Sequence, residues 1–131
     1  MRLFLIILSF VTLNLYAHHP GNKIEAIAPY PTIDLKVFKD SMDGYNLYID
    51  LKNFNLDPSQ VGQENMDNTG HLHLYVNDIK IARVYSKWFH IPQRYFNLET
   101  NLIKVTLNAN MHDDFTINDK PIVAQIEIKN N

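Results

Sequence analysis

Period-two alternation of apolar and polar residues dominates this chain. Ile33-Asp-Leu-Lys-Val-Phe-Lys39 switches at nearly every position; Tyr45–Leu51 puts Leu47, Ile49 and Leu51 on one side, and Leu102–Leu107 does the same with Ile103, Val105 and Leu107. Successive strand side chains point to opposite faces, so such segments bury one face and wet the other only as β-strands. His71–Val76, Lys80–Tyr85, Lys87–Ile91 and Ile122–Ile128 bring the expected strands to seven, and no segment carries a convincing amphipathic helix. Turns are marked by Asp43-Gly44, Asn77-Asp78 and Asn118-Asp119. The hydrophilic stretch from Asn55 to Gly70 reads as a long loop. Short strands at fairly regular spacing predict an all-β fold, a Greek-key β-sandwich of immunoglobulin or cupredoxin type. The 131 residues suffice for one such core and not two.

The first residues read as an address. Met1-Arg2 supplies a positive start, Leu3–Leu13 an apolar run, and Ala17 a small residue for cleavage, the layout of a secretory signal peptide. Its apolar core is shorter than the roughly 20 residues that span a bilayer, although an uncleaved N-terminal anchor is the alternative. The expected organisation is therefore a signal peptide at 1–17, an extended leader at 18–32 held by Pro29 and Pro31, and a sandwich domain at 33–131. This implies a periplasmic or secreted protein, detached from the membrane after cleavage, whose first residue is His18.

Composition removes several chemistries. Twelve Lys+Arg against fourteen Asp+Glu give a formal charge of -2 with no basic block, which argues against nucleic acid as a partner. Cysteine is absent, so disulfides, thiolate nucleophiles and iron–sulfur ligation are excluded. There is no Gly-x-Ser-x-Gly, no Walker-type loop and no His-Glu-x-x-His, and four glycines leave little for a phosphate cradle.

What stands out is six histidines in a small chain. In His71–Val76 the aliphatic set Leu72, Leu74 and Val76 is the core face, so His71 and His73 share the opposite one with Tyr75. Two residues apart on a strand, their α-carbons lie about 6–7 Å apart, within reach of one ion. His112 sits just past the end of a strand, and His90 shares its parity with Trp88. A mature terminus at His18 would offer an α-amine and an imidazole to a metal, as in a copper-binding histidine brace. Met66 and Met111 are soft donors suited to Cu(I), and Glu64, Asp113 and Asp114 are candidates to ligate or to orient an imidazole. A lone histidine is more often a surface or hydrogen-bonded structural residue than a ligand, and His90 reads equally well as an aromatic packed beside Trp88. The accumulation in a cysteine-free domain favours a metal site at His71, His73, His112, His90 and His18. Copper is the expected ion and zinc the alternative.

The run Gly70-His-Leu-His-Leu-Tyr-Val-Asn77, with Ile81–Tyr85, Trp88–Pro92 and Leu107–His112, resembles a group of small secreted bacterial proteins of unassigned function that share a Gly-His-x-His-Leu-Tyr-Val-Asn core. The resemblance covers roughly residues 33–128 and implies that His71, His73, His90 and His112 are shared. A looser likeness is to periplasmic copper carriers of the CopC type, small sandwiches with histidine at the mature terminus; their Asp-x-His ligand pair has no match here. The expected function is a periplasmic copper carrier or buffer rather than an enzyme, losing affinity below about pH 6 as imidazoles protonate. The alternatives are a metal-free immunoglobulin-like module that meets an envelope protein partner and, less favoured, a copper oxygenase built on His18.

Overall fold

The structure, a computed structural model, describes residues 21–130; the signal peptide assigned to 1–17 and His18 fall outside the described residues. In chain order the strands are β1 (Lys23–Glu25), β2 (Thr32–Lys39), β3 (Tyr45–Lys52), β4 (Asn55–Leu56), β5 (Thr69–Val76), β6 (Ile79–Val84), β7 (Trp88–Ile91), β8 (Thr100–Ala109), β9 (Asp114–Ile117), β10 (Lys120–Pro121) and β11 (Val123–Lys129). Two single-turn 3-10 segments, Pro58–Gln60 and Gln93–Tyr95, are the helical elements among the described residues, and neither approaches the length needed to cross a membrane.

Alternation builds the layers as expected. The even-odd split of β3 sends Leu47, Ile49 and Leu51 inward, where they are buried with Leu35 of β2. Leu72, Leu74 and Val76 of β5 and Ile103, Val105 and Leu107 of β8 face them from the other sheet, each at most 2% exposed. Full burial of such a side chain stabilises by about 1.5–3 kcal/mol, so these two inner faces hold the sandwich shut. The smaller sheet runs β2-β3-β7, and the larger has the order β1-β9-β8-β5-β4, with β6 also on β5, β11 on β8 and β10 on β9. After β6 the chain crosses to the small sheet at β7 and then returns as β8 beside β5, the non-local return typical of Greek-key wiring.

The seven expected strands are all present, as β2, β3, β5, β6, β7, β8 and β11. Four more, β1, β4, β9 and β10, are two to four residues long, too short for alternation to register. β1 lies inside the segment read as leader, pairs in parallel with β9, and delivers Ala26 to the core. Asn77-Asp78 and Asn118-Asp119 turn with both residues at positive φ (52° and 63°, 51° and 64°), the type I′ geometry that matches strand twist.

One glycine has a specific steric duty. Gly70 pairs with Ala109 where β5 meets β8, and a Cβ there would strike the Asn108 carbonyl. Gly70→Ala must push the two strands apart beside His71. The expected cost is about 1–3 kcal/mol, read as a lowered urea midpoint at unchanged slope.

A candidate three-histidine metal centre

Residues directly opposite one another on paired strands share a face of the sheet. On the outer face of the large sheet, His73 stands between Arg83 of β6 and Thr106 of β8, and His71 stands beside Asn108. The parity that buries Leu72 and Leu74 therefore places both imidazoles on the side away from the core. They are nonetheless covered, with His71 0% and His73 5% exposed. His112 and Tyr85 pack over the His71 ring, with centroids 4.8 and 5.9 Å away.

His112 arrives from the β8–β9 hairpin. Its N–H donates to the Ala109 carbonyl at 2.8 Å, Ala109 N–H donates to the Asp113 carbonyl at 2.8 Å, and His112 itself sits at φ 70°. That is a left-handed position where glycine is favoured, and a β-carbon there costs about 1–2 kcal/mol. The hairpin is clamped from the 61–65 loop. Asn65 Nδ2 donates to Asp113 Oδ2 at 2.7 Å while its Oδ1 accepts from Met111 N–H at 2.9 Å. Gly62 N–H donates to the Asn110 carbonyl, and Asn110 Nδ2 to the Glu64 carbonyl. The stretch read as a long loop is thus the brace that aims His112.

Three ring nitrogens converge. His71 Nε2 lies 3.0 Å from His73 Nε2 and 3.1 Å from His112 Nδ1, and one ligand atom from each residue lies within 4.8 Å of the others. Bonds of about 2.0–2.1 Å at tetrahedral angles put imidazole nitrogens about 3.3 Å apart, so the two short separations fit a shared ion with slight adjustment.

The protonation states suit that use. Burial, reinforced by His112, Arg83 and Lys80, lowers the His71 pKa to about 4. Burial, then Lys80, His71, His112 and Arg83, lowers that of His73 to about 3. His112 is lowered too, mainly by burial and by Arg83, with Asp113 opposing. All three rings are neutral at physiological pH and carry lone pairs.

Which nitrogens carry the protons follows from Arg83. Its guanidinium can only donate, and NH2 lies 3.4 Å from His112 Nε2, so Nε2 accepts and the His112 proton sits on Nδ1, facing His71. His71 Nε2 then accepts, and its own proton sits on Nδ1. That atom is buried and has no hydrogen-bond partner, at a cost of about 1–3 kcal/mol. One lone pair on His71 Nε2 must serve two neighbouring nitrogens. A cation at their meeting point resolves this crowding, and His71 already holds the tautomer that coordination through Nε2 requires. The His71, His73 and His112 group can hold a metal ion.

The other expected ligands are placed elsewhere. His90 belongs to the small sheet, where Nδ1 donates to Asn46 Oδ1 at 3.1 Å and Asp40 and Asp43 stand 3.8 Å from the ring; it does not join the cluster. Nor is it a packed aromatic: its side chain is 44% exposed, because the parity it shares with Trp88 is the outward one on β7. Met66 and Met111 are largely exposed. Asp113 is engaged by Asn65 and Asp114 by Asn108, so neither carboxylate bonds an imidazole. His18 lies outside the described residues. Sequence reasoning passed over Asn65, hidden in a hydrophilic stretch, and gave Arg83 no role at the site. Counting back across the Asn77-Asp78 hairpin sets Ala82 opposite His73; a register shift between Leu74 and Tyr75 puts Arg83 there instead. Comparison with family models, curated proteins and solved structures yields no match for this chain.

Two outcomes follow from this geometry. In the unfolded chain each imidazole protonates near its ordinary pKa of 6.5, and in the fold His71 and His73 do so only near 4 and 3. Between those limits the unfolded state binds more protons, so the metal-free protein loses stability as pH falls from 6.5 towards 4. Thermal melts across that range should show the slope, and His73→Gln should flatten it. The same shifts mean that protons compete for His71 and His73 less near pH 6 than they would for an unperturbed imidazole. Separately, Asn65→Ala should weaken metal binding about 10- to 100-fold without touching a ligand, measured by competition titration.

Proposed function

We propose that this is a periplasmic or secreted metal-binding protein that carries or buffers copper at His71, His73 and His112. The observation that carries the reading is the convergence of three neutral imidazole nitrogens at one point on the outer sheet face. An all-imidazole donor set suits copper, zinc and nickel, and among divalent ions copper binds such a set most tightly; zinc is the alternative. Two ligands are buried and rigid while His112 is exposed, an arrangement that holds an ion yet leaves one side open for exchange. The exported location is supported by the leader-like first residues. The chain enters the described fold beside the site: Asn22 accepts from Asp114 N–H, and Gly21 lies against Asp114 and the His112 carbonyl.

A second reading has its own observation. On the outward face of the small sheet, Trp88 lies 5.9 Å from Phe38 and 4.8 Å from Tyr48 between ring centroids, and Trp88 and Phe38 are more than half exposed. An exposed aromatic cluster on a sheet face is the kind of surface a metal-free envelope interaction module would use.

Native mass spectrometry and competition titration of the processed protein with Cu(I), Cu(II) and Zn(II) test the proposal. One tightly held ion is expected at His71, His73 and His112, with His71→Ala or His73→Ala losing about 100-fold or more in affinity. His112→Gly should separate ligation from folding: metal affinity falls, while stability is unchanged or rises by about 1 kcal/mol as the left-handed strain is relieved. A protein that stays empty with copper and zinc both in excess leaves the interaction module as the standing reading.

A further inference from the structure

The three-histidine centre brings no negative charge to its ion. Its ligands are neutral, and Asp113, the acid that acts on His112, is not among the converging ligand atoms and is bonded to Asn65. Two cations face the same site instead. Arg83 stands opposite His73 across the β5–β6 pairing, and Lys80 stands opposite Tyr75 on the same face. Neither has a carboxylate partner among the described residues, where the Lys and Arg ion pairs are Lys23–Asp119 and Lys104–Asp78. Arg83 is held only by neutral groups, with NH1 3.5 Å from the Tyr85 hydroxyl and NH2 3.4 Å from His112 Nε2. A divalent ion, an arginine and a lysine gathered without an acid repel one another, and three protein ligands leave a four-coordinate ion one position short.

Loading the site also changes what Arg83 faces. Coordination through His112 Nδ1 moves the ring proton to Nε2, because a neutral imidazole carries one N–H. Nε2 then becomes a donor 3.4 Å from a guanidinium that can only donate. Arg83 loses its acceptor as the metal arrives and must find another on the open side of the ion. A planar two-oxygen anion fits both vacancies, one oxygen on the metal and the other on the guanidinium fork.

Resting on the metal-binding reading above, we infer that the centre takes its fourth ligand from solution as a small carboxylate-type anion clamped by Arg83. The ion is then bound as a ternary complex, and its hold depends on the anion present. Lys80 adds attraction from the same face without direct contact.

The test uses the processed protein loaded with Cu(II) in an anion-poor buffer, titrated separately with acetate, bicarbonate and chloride and followed by its visible absorption and electron paramagnetic resonance. Acetate or bicarbonate should shift both spectra saturably, with chloride, which cannot bridge to a guanidinium fork, acting more weakly. Arg83→Gln should weaken the acetate and bicarbonate response about tenfold or more, read against that variant's own copper-loaded spectra in anion-poor buffer. Arg83→Lys, which keeps the charge and loses the fork, should restore only part of the response. Spectra indifferent to acetate and bicarbonate, or an Arg83→Gln protein that answers them as the parent does, overturn this inference and leave the metal site standing. Failure to bind copper in any buffer overturns both.

Discussion

The pleat of strand β5 is the constraint from which the rest of the structure follows. Leu72, Leu74 and Val76 face β2 and β3 and, with Ile103, Val105 and Leu107, fill the middle of the sandwich, and a residue between two inward side chains can only point outward. His71 and His73 are therefore held on the outer face by the same packing that holds the core. A slip of one residue in register would send both imidazoles inward and three aliphatic side chains into water, so the site and the fold share one source of specificity.

The third imidazole is positioned by a different kind of physics. His112 lies on a hairpin rather than in a strand, at a backbone angle that favours glycine, and its direction is set by hydrogen bonds that Asn65 and Gly62 of the 61–65 loop make to the hairpin and that Asn110 donates back to Glu64. Local strain of this sort survives where surrounding contacts over-determine the conformation. Two rigid ligands from a strand and one exposed ligand from a braced turn make a centre that is preorganised on one side and accessible on the other.

Burial then decides the chemistry. Desolvation is the largest influence on His71, His73 and His112 alike, and the cationic residues Arg83 and Lys80 act in the same direction. The imidazoles stay neutral over a wider pH range than free histidine, which favours coordination over protonation. The Nδ1 of His71 and the Oδ1 of Asn110 are buried beside the site without a hydrogen-bond partner, each at a cost to stability.

Much of this was legible in the amino-acid order. Alternation announced the seven longer strands, the Asn-Asp pairs announced two hairpins, and parity alone put His71 and His73 together on one face. Those are local properties, dictated by a two-residue repeat and by turn stereochemistry, and they need no knowledge of what lies across the sheet. Tertiary structure decided what depends on distant segments meeting. It brought His112 to within 3.1 Å of His71 through the β5–β8 pairing, left His90 on the opposite sheet, and set Arg83 over the site. It also turned a hydrophilic stretch into the clamp at Asn65. Convergence of residues about forty positions apart is a matter of strand order and register, which hydrophobic periodicity does not encode.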